Sequence, residues 1–172
     1  MNTLFGYTAL SGFLLALAAH IATICGVDVS ARVPAVWGLH AGIFIVFIPM
    51  VFSMRKTIGT KPTFAEIRAA FPPWVVVFGI CLFAYVLLNF VFMFILGSVG
   101  GNPSMVGGKY ILENHGKLIR EITEAEYREA MANTIRGFSG HWLIFYFAPF
   151  AYFILRNEPL NSMASDGQEK LP

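Results

Sequence analysis

Apolar positions run along the chain in four long blocks, and the charged residues fall between them. No Asp, Glu, Lys or Arg occurs in residues 1–27, 33–54, 69–108 or 137–155. A helix that crosses a bilayer needs roughly 20 apolar residues, so the first, second and fourth blocks predict one transmembrane helix each, over 4–26, 34–54 and 137–155. The third block is too long for a single span. It opens on Pro72-Pro73 and closes on GSVGGNPSMVGG, residues 97–108, and because prolines and glycines punctuate helices, a span over 74–96 remains. The first block has no basic n-region and exceeds the usual apolar h-region of about 7 to 15 residues, so it is expected to be a retained helix rather than a signal peptide.

The polar segments between the blocks carry shorter patterns. TFAE places Thr63 and Glu66 at capping-box spacing, with Phe64, Ile67 and Phe71 on one face, which predicts a short interfacial helix over 63–71. In KYILENHGKLIREIT, residues 109–123, two β-prone runs flank Asn114-His115-Gly116, the chemistry of a hairpin turn. A second capping box follows at Thr123 and Glu126, opening a helix whose Tyr127, Met131, Thr134 and Ile135 share a face and which Gly137 could end or join to the fourth span. Residues 98–136 are therefore expected to form a small β-hairpin-plus-helix insertion. A hairpin alone is marginal, so it should rest on the bundle or on its own helix. Residues 157–172, NEPLNSMASDGQEKLP, are polar without periodicity, and a disordered tail is expected.

Composition agrees with the pattern. Of 172 residues, 56% are hydrophobic and 13% charged, and 17 are Phe, far from a typical soluble domain. The fold class expected is an all-α membrane protein: a four-transmembrane-helix bundle in residues 1–156, with the insertion between the third and fourth helices. Four spans put the N-terminus, the second loop and the tail on one face, A, and the first and third loops on the other, B. Arg55, Lys56, Lys61, Arg68 and Arg156 cluster on face A against Glu66, whereas the first loop has only Arg32 and the longer third loop is thinly basic. The positive-inside rule then makes face A cytoplasmic, with both termini inside. The partners implied are the lipid bilayer, with anionic headgroups opposite the basic residues of 63–71, and other membrane subunits or further copies of the chain. Nothing in the sequence points to nucleic acid. Cys25 and Cys81 are expected in opposite leaflets, too far apart to bridge.

Candidate chemistry sits inside the spans. His20, His40 and His141 each fall, at 1.5 Å per residue, roughly 6 to 9 Å from the bilayer centre toward face B, and Asn89 falls at a similar depth. Gly12, Ala16, Ala19, His20 and Thr23 form a stripe of the kind on which membrane helices pack, which turns His20 inward. An unpartnered Asn in hydrocarbon is costly, so Asn89 should also face inward. Three readings stand side by side. The groups hydrogen-bond between helices and fix the bundle. Alternatively, His20 and His40 ligate a b-type haem whose macrocycle touches Trp37, Phe44, Tyr85 and Phe145; three histidines on zinc or copper would be a variant, though no acidic or thiolate fourth ligand lies nearby. Or His141, Trp142 and Tyr146 hydrogen-bond a quinone, with Trp142 and Tyr146 in the interfacial aromatic belt.

Several classes are excluded by what the spans and loops lack. No charged residue lies within a span, which removes the usual groups of ion-coupled transport. There is no Walker loop, GxSxG, HExxH or Rossmann glycine pattern, hence no recognisable catalytic motif. Pro149, within the fourth span, should bend it by leaving the Phe145 carbonyl without its amide partner.

The stretch NHGKLIREITEAEYREAMANTIRGFSGHWLIFYF, residues 114–147, about a fifth of the chain, resembles an uncharacterised family of small bacterial four-span integral membrane proteins, with weaker similarity around His40. The resemblance implies bacterial origin, hence a bacterial inner (plasma) membrane, and four-helix architecture, and brings no activity, substrate or ligand with it. A non-catalytic binding or structural role is thus expected, with a haem- or quinone-linked redox component as the alternative.

Overall fold

A computed structural model of the protein describes residues 2–97 and 101–157. It is mostly helical, with four helices long and apolar enough to cross a membrane and a small three-stranded sheet. The element order is α1 (Asn2–Ile24), a short α2 (Val29–Arg32), a 3-10 turn (Pro34–Trp37), α3 (Gly38–Thr57), α4 (Phe64–Ala70), α5 (Pro73–Gly97), β1 (Asn102–Val106), β2 (Lys109–Asn114), β3 (Lys117–Glu121), α6 (Glu124–Phe150) and a π-helical stretch (Ala151–Leu155). From residue 158 onward, the segment expected to be a disordered tail lies outside the described residues.

Helix ends follow the local chemistry. α1 ends before Gly26, which takes a left-handed φ of 77°, and Asp28 caps α2 by accepting from the Ala31 amide at 3.0 Å. Both capping boxes form: Thr63 with Glu66 at α4 and Thr123 with Glu126 at α6. Their reciprocal bonds satisfy amides that a helix start leaves without partners. The hydrogen bonds that the Thr63 backbone and side chain donate hold the Glu66 carboxyl below its ordinary pKa.

α6 is the hub. It packs along α1, α5 and α3, and α1 also packs on α3. Gly6, Ala9, Gly12, Ala16, Ala19 and Thr23 of α1 are buried, whereas Leu14, Leu15, Phe44, Ile45, Leu87 and Leu88 point outward. Small residues inside and large apolar residues outside suit a hydrocarbon surround, where close backbone approach rather than water exclusion drives helix association. Pro149 lies inside α6, and the helix beyond it widens into the π-helical stretch, one way a helix absorbs the hydrogen bond that proline removes.

One finding departs from the sequence reading of the insertion, and a second chooses between its two alternatives. First, a third strand joins the hairpin: β1, in the glycine-rich segment that closes the third apolar block, pairs antiparallel with β2 from Asn102↔Glu113 to Val106↔Lys109. Gly107 and Gly108 make this possible, with φ of 59° and 79° in a two-residue turn, the conformation that a type I′ turn needs. His115 and Gly116 make the β2–β3 turn in the same way, at φ 51° and 79°. Second, the insertion's helix and the fourth span are one continuous helix, because Gly137 is buried helix interior rather than an end. The sheet rests on this helix. Tyr110 meets Tyr127 at 4.9 Å between ring centroids, Leu112 and Ile122 are buried, and Arg120 pairs with Glu126 at 2.9 Å.

Candidate functional site

Polar side chains within the four helices collect on α6, opposite the B-face halves of its neighbours. His20, on the small-residue stripe of α1, is 2% exposed and uses both ring nitrogens. Its Nδ1 lies 2.9 Å from Ser139 Oγ on α6, and its Nε2 lies 2.5 Å from the Tyr85 hydroxyl on α5. The Ser139 hydroxyl donates to the Arg136 carbonyl at 3.2 Å. With that proton spent, the consistent arrangement is a neutral imidazole whose Nδ1–H donates to Ser139 and whose Nε2 accepts from Tyr85. The imidazole and phenol rings also meet edge to face at 5.6 Å.

Asn89 reaches the same turn of α6. Its Nδ2 donates to the Arg136 carbonyl at 3.2 Å and to the Gly137 carbonyl at 3.4 Å. Only a glycine leaves room for this approach: a Cβ on Gly140 would lie 2.2 Å from Asn89 Nδ2, and one on Gly137 would collide with Met93. Glycine in a membrane helix thus brings a polar side chain onto a neighbour's backbone, where it finds carbonyls to bond.

α3 is tied to α6 separately. Trp142 Nε1–H donates to His40 Nδ1 at 3.0 Å, and the Tyr146 hydroxyl donates to the Leu39 carbonyl at 2.7 Å. His40 stands edge-on to His141 at 5.6 Å and to Phe138 at 5.8 Å, and Trp37 meets Phe138 at 5.1 Å. Phe145 adds a contact with His141 at 6.2 Å.

The candidates named from sequence therefore divide into two clusters. His20, Tyr85 and Asn89 join α1 and α5 to α6; His40, His141, Trp37 and Phe145 gather where α3 meets α6. Among the described residues no ring contact joins His20 to His40, and no group of three or more His, Cys, Asp or Glu is placed to hold a metal ion. Trp142 and Tyr146, which the quinone reading would have facing a ligand, are buried between the helices, 0% and 3% exposed. The reason is the hub position of α6, which buries most of that helix's circumference. Sequence reasoning also passed over Ser139, the partner of His20, and Phe138. The run Gly137, Ser139, Gly140 was the available signal, since closely spaced small residues mark a contact face.

No buried side-chain nitrogen or oxygen among the described residues lacks a hydrogen-bond partner. Chemically, the arrangement is a set of directional bonds between helices that leaves the His20 imidazole no lone pair to offer.

No family model, curated protein or solved structure matches the chain. Its class rests on its own features: four helices with the length and apolarity of membrane spans, consistent with a multi-pass membrane protein.

Proposed function

We propose that this is a non-catalytic integral membrane protein of the bacterial inner membrane, with both termini in the cytoplasm and the sheet on the outer side. Its polar cluster serves a structural and presenting role. α6 runs without a break from the sheet through the membrane, so bonds that fix α6 against α1, α3 and α5 also fix the height and rotation at which the sheet is held. The observation that carries this reading is that each buried polar side-chain atom among the described residues has a hydrogen-bond partner, above all both nitrogens of His20.

The alternative, a b-type haem or quinone component on His20 and His40, draws on the half-buried His40–His141 pair and its aromatic surround. Two features weigh against haem. Tyr85 occupies His20 Nε2, and with Nδ1 accepting from Trp142 the imidazole tautomer of His40 has its proton on Nε2, which then has no lone pair for a metal. A reduced-minus-oxidised visible spectrum of the purified protein separates the readings. A spectrum without a Soret band is expected; a Soret band abolished in His20→Ala or His40→Ala would replace the structural reading with haem binding.

A further inference from the structure

At the opposite end of the bundle, α3, α4, α5 and the last turns of α6 flank an open cleft of about 410 Å³, within the roughly 300 to 1,000 Å³ of small-ligand pockets. It exists because α3 and α5 both pack on α6 without extensive contact with each other. Met54, Ile67, Phe71, Val76, Gly79 and Tyr152 stand around it, and Tyr152 is the one lining residue with a polar side-chain group. A space so apolar gives water too few partners to stay, so in a bilayer it fills with hydrocarbon.

The surroundings of Tyr152 specify which hydrocarbon. Its hydroxyl lies 2.9 Å from Ser53 Oγ and 2.7 Å from Thr57 Oγ1. Arg156 Nη1 donates to that hydroxyl at 3.1 Å and to Thr57 Oγ1 at 3.0 Å, and its guanidinium lies 4.8 Å from the Tyr152 ring centroid. Asn157 then pins the chain to α4, its amide donating to the Ala70 carbonyl at 3.0 Å and its Nδ2 to the Ala69 carbonyl at 3.2 Å. A cation is thus held in a fixed place beside an apolar cavity. Arg55, Lys56, Lys61 and Arg68 belong to the same end of the bundle, and among the described residues none of these five cations is in an ion pair. The nearby Glu66 is spent on capping Thr63.

We infer that this cavity binds one anionic glycerophospholipid, an acyl chain lying between α3 and α5 and the phosphate meeting Arg156. Charge complementarity selects this occupant. The cations attract an anionic headgroup. The polar segment 158–172 offers little to an apolar space. This site is remote from the histidine clusters, and its test is independent of theirs.

Native mass spectrometry of the full chain, delipidated in detergent and offered phosphatidylglycerol or phosphatidylcholine with identical acyl chains, tests the inference. One phosphatidylglycerol per chain should be retained, in preference to phosphatidylcholine by roughly fivefold or more. Arg156→Gln should remove about fivefold of that preference. Gly79→Leu, whose new Cβ would meet Phe147 at an ordinary 3.5 Å while the rest of the side chain enters the cavity, should abolish retention. Equal retention of the two lipids, phosphatidylglycerol retention unchanged in both variants, or a dimer in place of the lipid complex would overturn it.

Discussion

The ring of Tyr146 lies where a side chain on Gly12 would be: a Cβ built there would stand 2.2 Å from the Tyr146 ring. Gly42 on α3 gives way on the other side, its Cβ position 2.5 Å from the Tyr146 hydroxyl. An aromatic side chain of α6 is thereby wedged between two helices, with its hydroxyl bonded to Leu39. Gly12→Ala should accordingly destabilise the bundle by about 1 to 3 kcal/mol, the usual cost of overpacking. Gly38→Ala, where nothing lies within 4 Å, should stay within about 0.5 kcal/mol of the parent. Unfolding in mixed micelles measures both, and equal stability of the two variants would argue against the wedge.

Replacing Asn89 by Leu keeps bulk and removes the bonds to the Arg136 and Gly137 carbonyls. The expected loss is about 0.6 kcal/mol and no more than roughly 1.7 kcal/mol, the range for single polar contacts between membrane helices. The same unfolding assay reads it, and an Asn89→Leu variant as stable as the parent would show that these bonds contribute nothing.

At His20 the identity of the replacement decides the outcome. Gln can both donate and accept, so His20→Gln should lie within about 1 kcal/mol of the parent. His20→Phe leaves Ser139 and Tyr85 without their partner and should cost about 1 to 3 kcal/mol. Thermal melting of the two variants checks the ranking; the reverse order would contradict the hydrogen-bond account.

The sheet depends on its turns. Gly116, at φ 79°, tolerates a side chain poorly, so Gly116→Val should loosen β2–β3 and speed cleavage of the sheet in limited proteolysis, at a cost of about 1 kcal/mol or more. The four large helices should be unaffected, which circular dichroism would show by an unchanged helical signal.

Orientation has its own test. The basic excess beside α4 and at Arg156 predicts that a topology reporter fused after Pro172 works only in the cytoplasm. Activity on the other side would reverse the proposed placement of the sheet.

Much of this protein is set by short-range chemistry, which a sequence carries in full. Charge-free blocks of span length yield the four long helices because hydrocarbon leaves backbone groups no partners but each other. The capping boxes at Thr63 and Thr123, the left-handed turn at His115-Gly116 and the small-residue stripe of α1 need only residues within a turn or two of one another. Tertiary structure decided what depends on distant neighbours. Depth along a helix is legible from spacing, but rotation about the helix axis is not, and rotation sorted the polar residues into two clusters instead of one. It paired His20 with Ser139, 119 positions away, and sent Trp142 and Tyr146 into the core. Gly137, Ser139 and Gly140 mark a contact face on α6, but nothing in the sequence says that α1, α3 and α5 all pack against that one helix. That role comes from where Gly12, Gly42, Gly137 and Gly140 allow backbones and side chains to meet, and those contacts exist only once the helices are together.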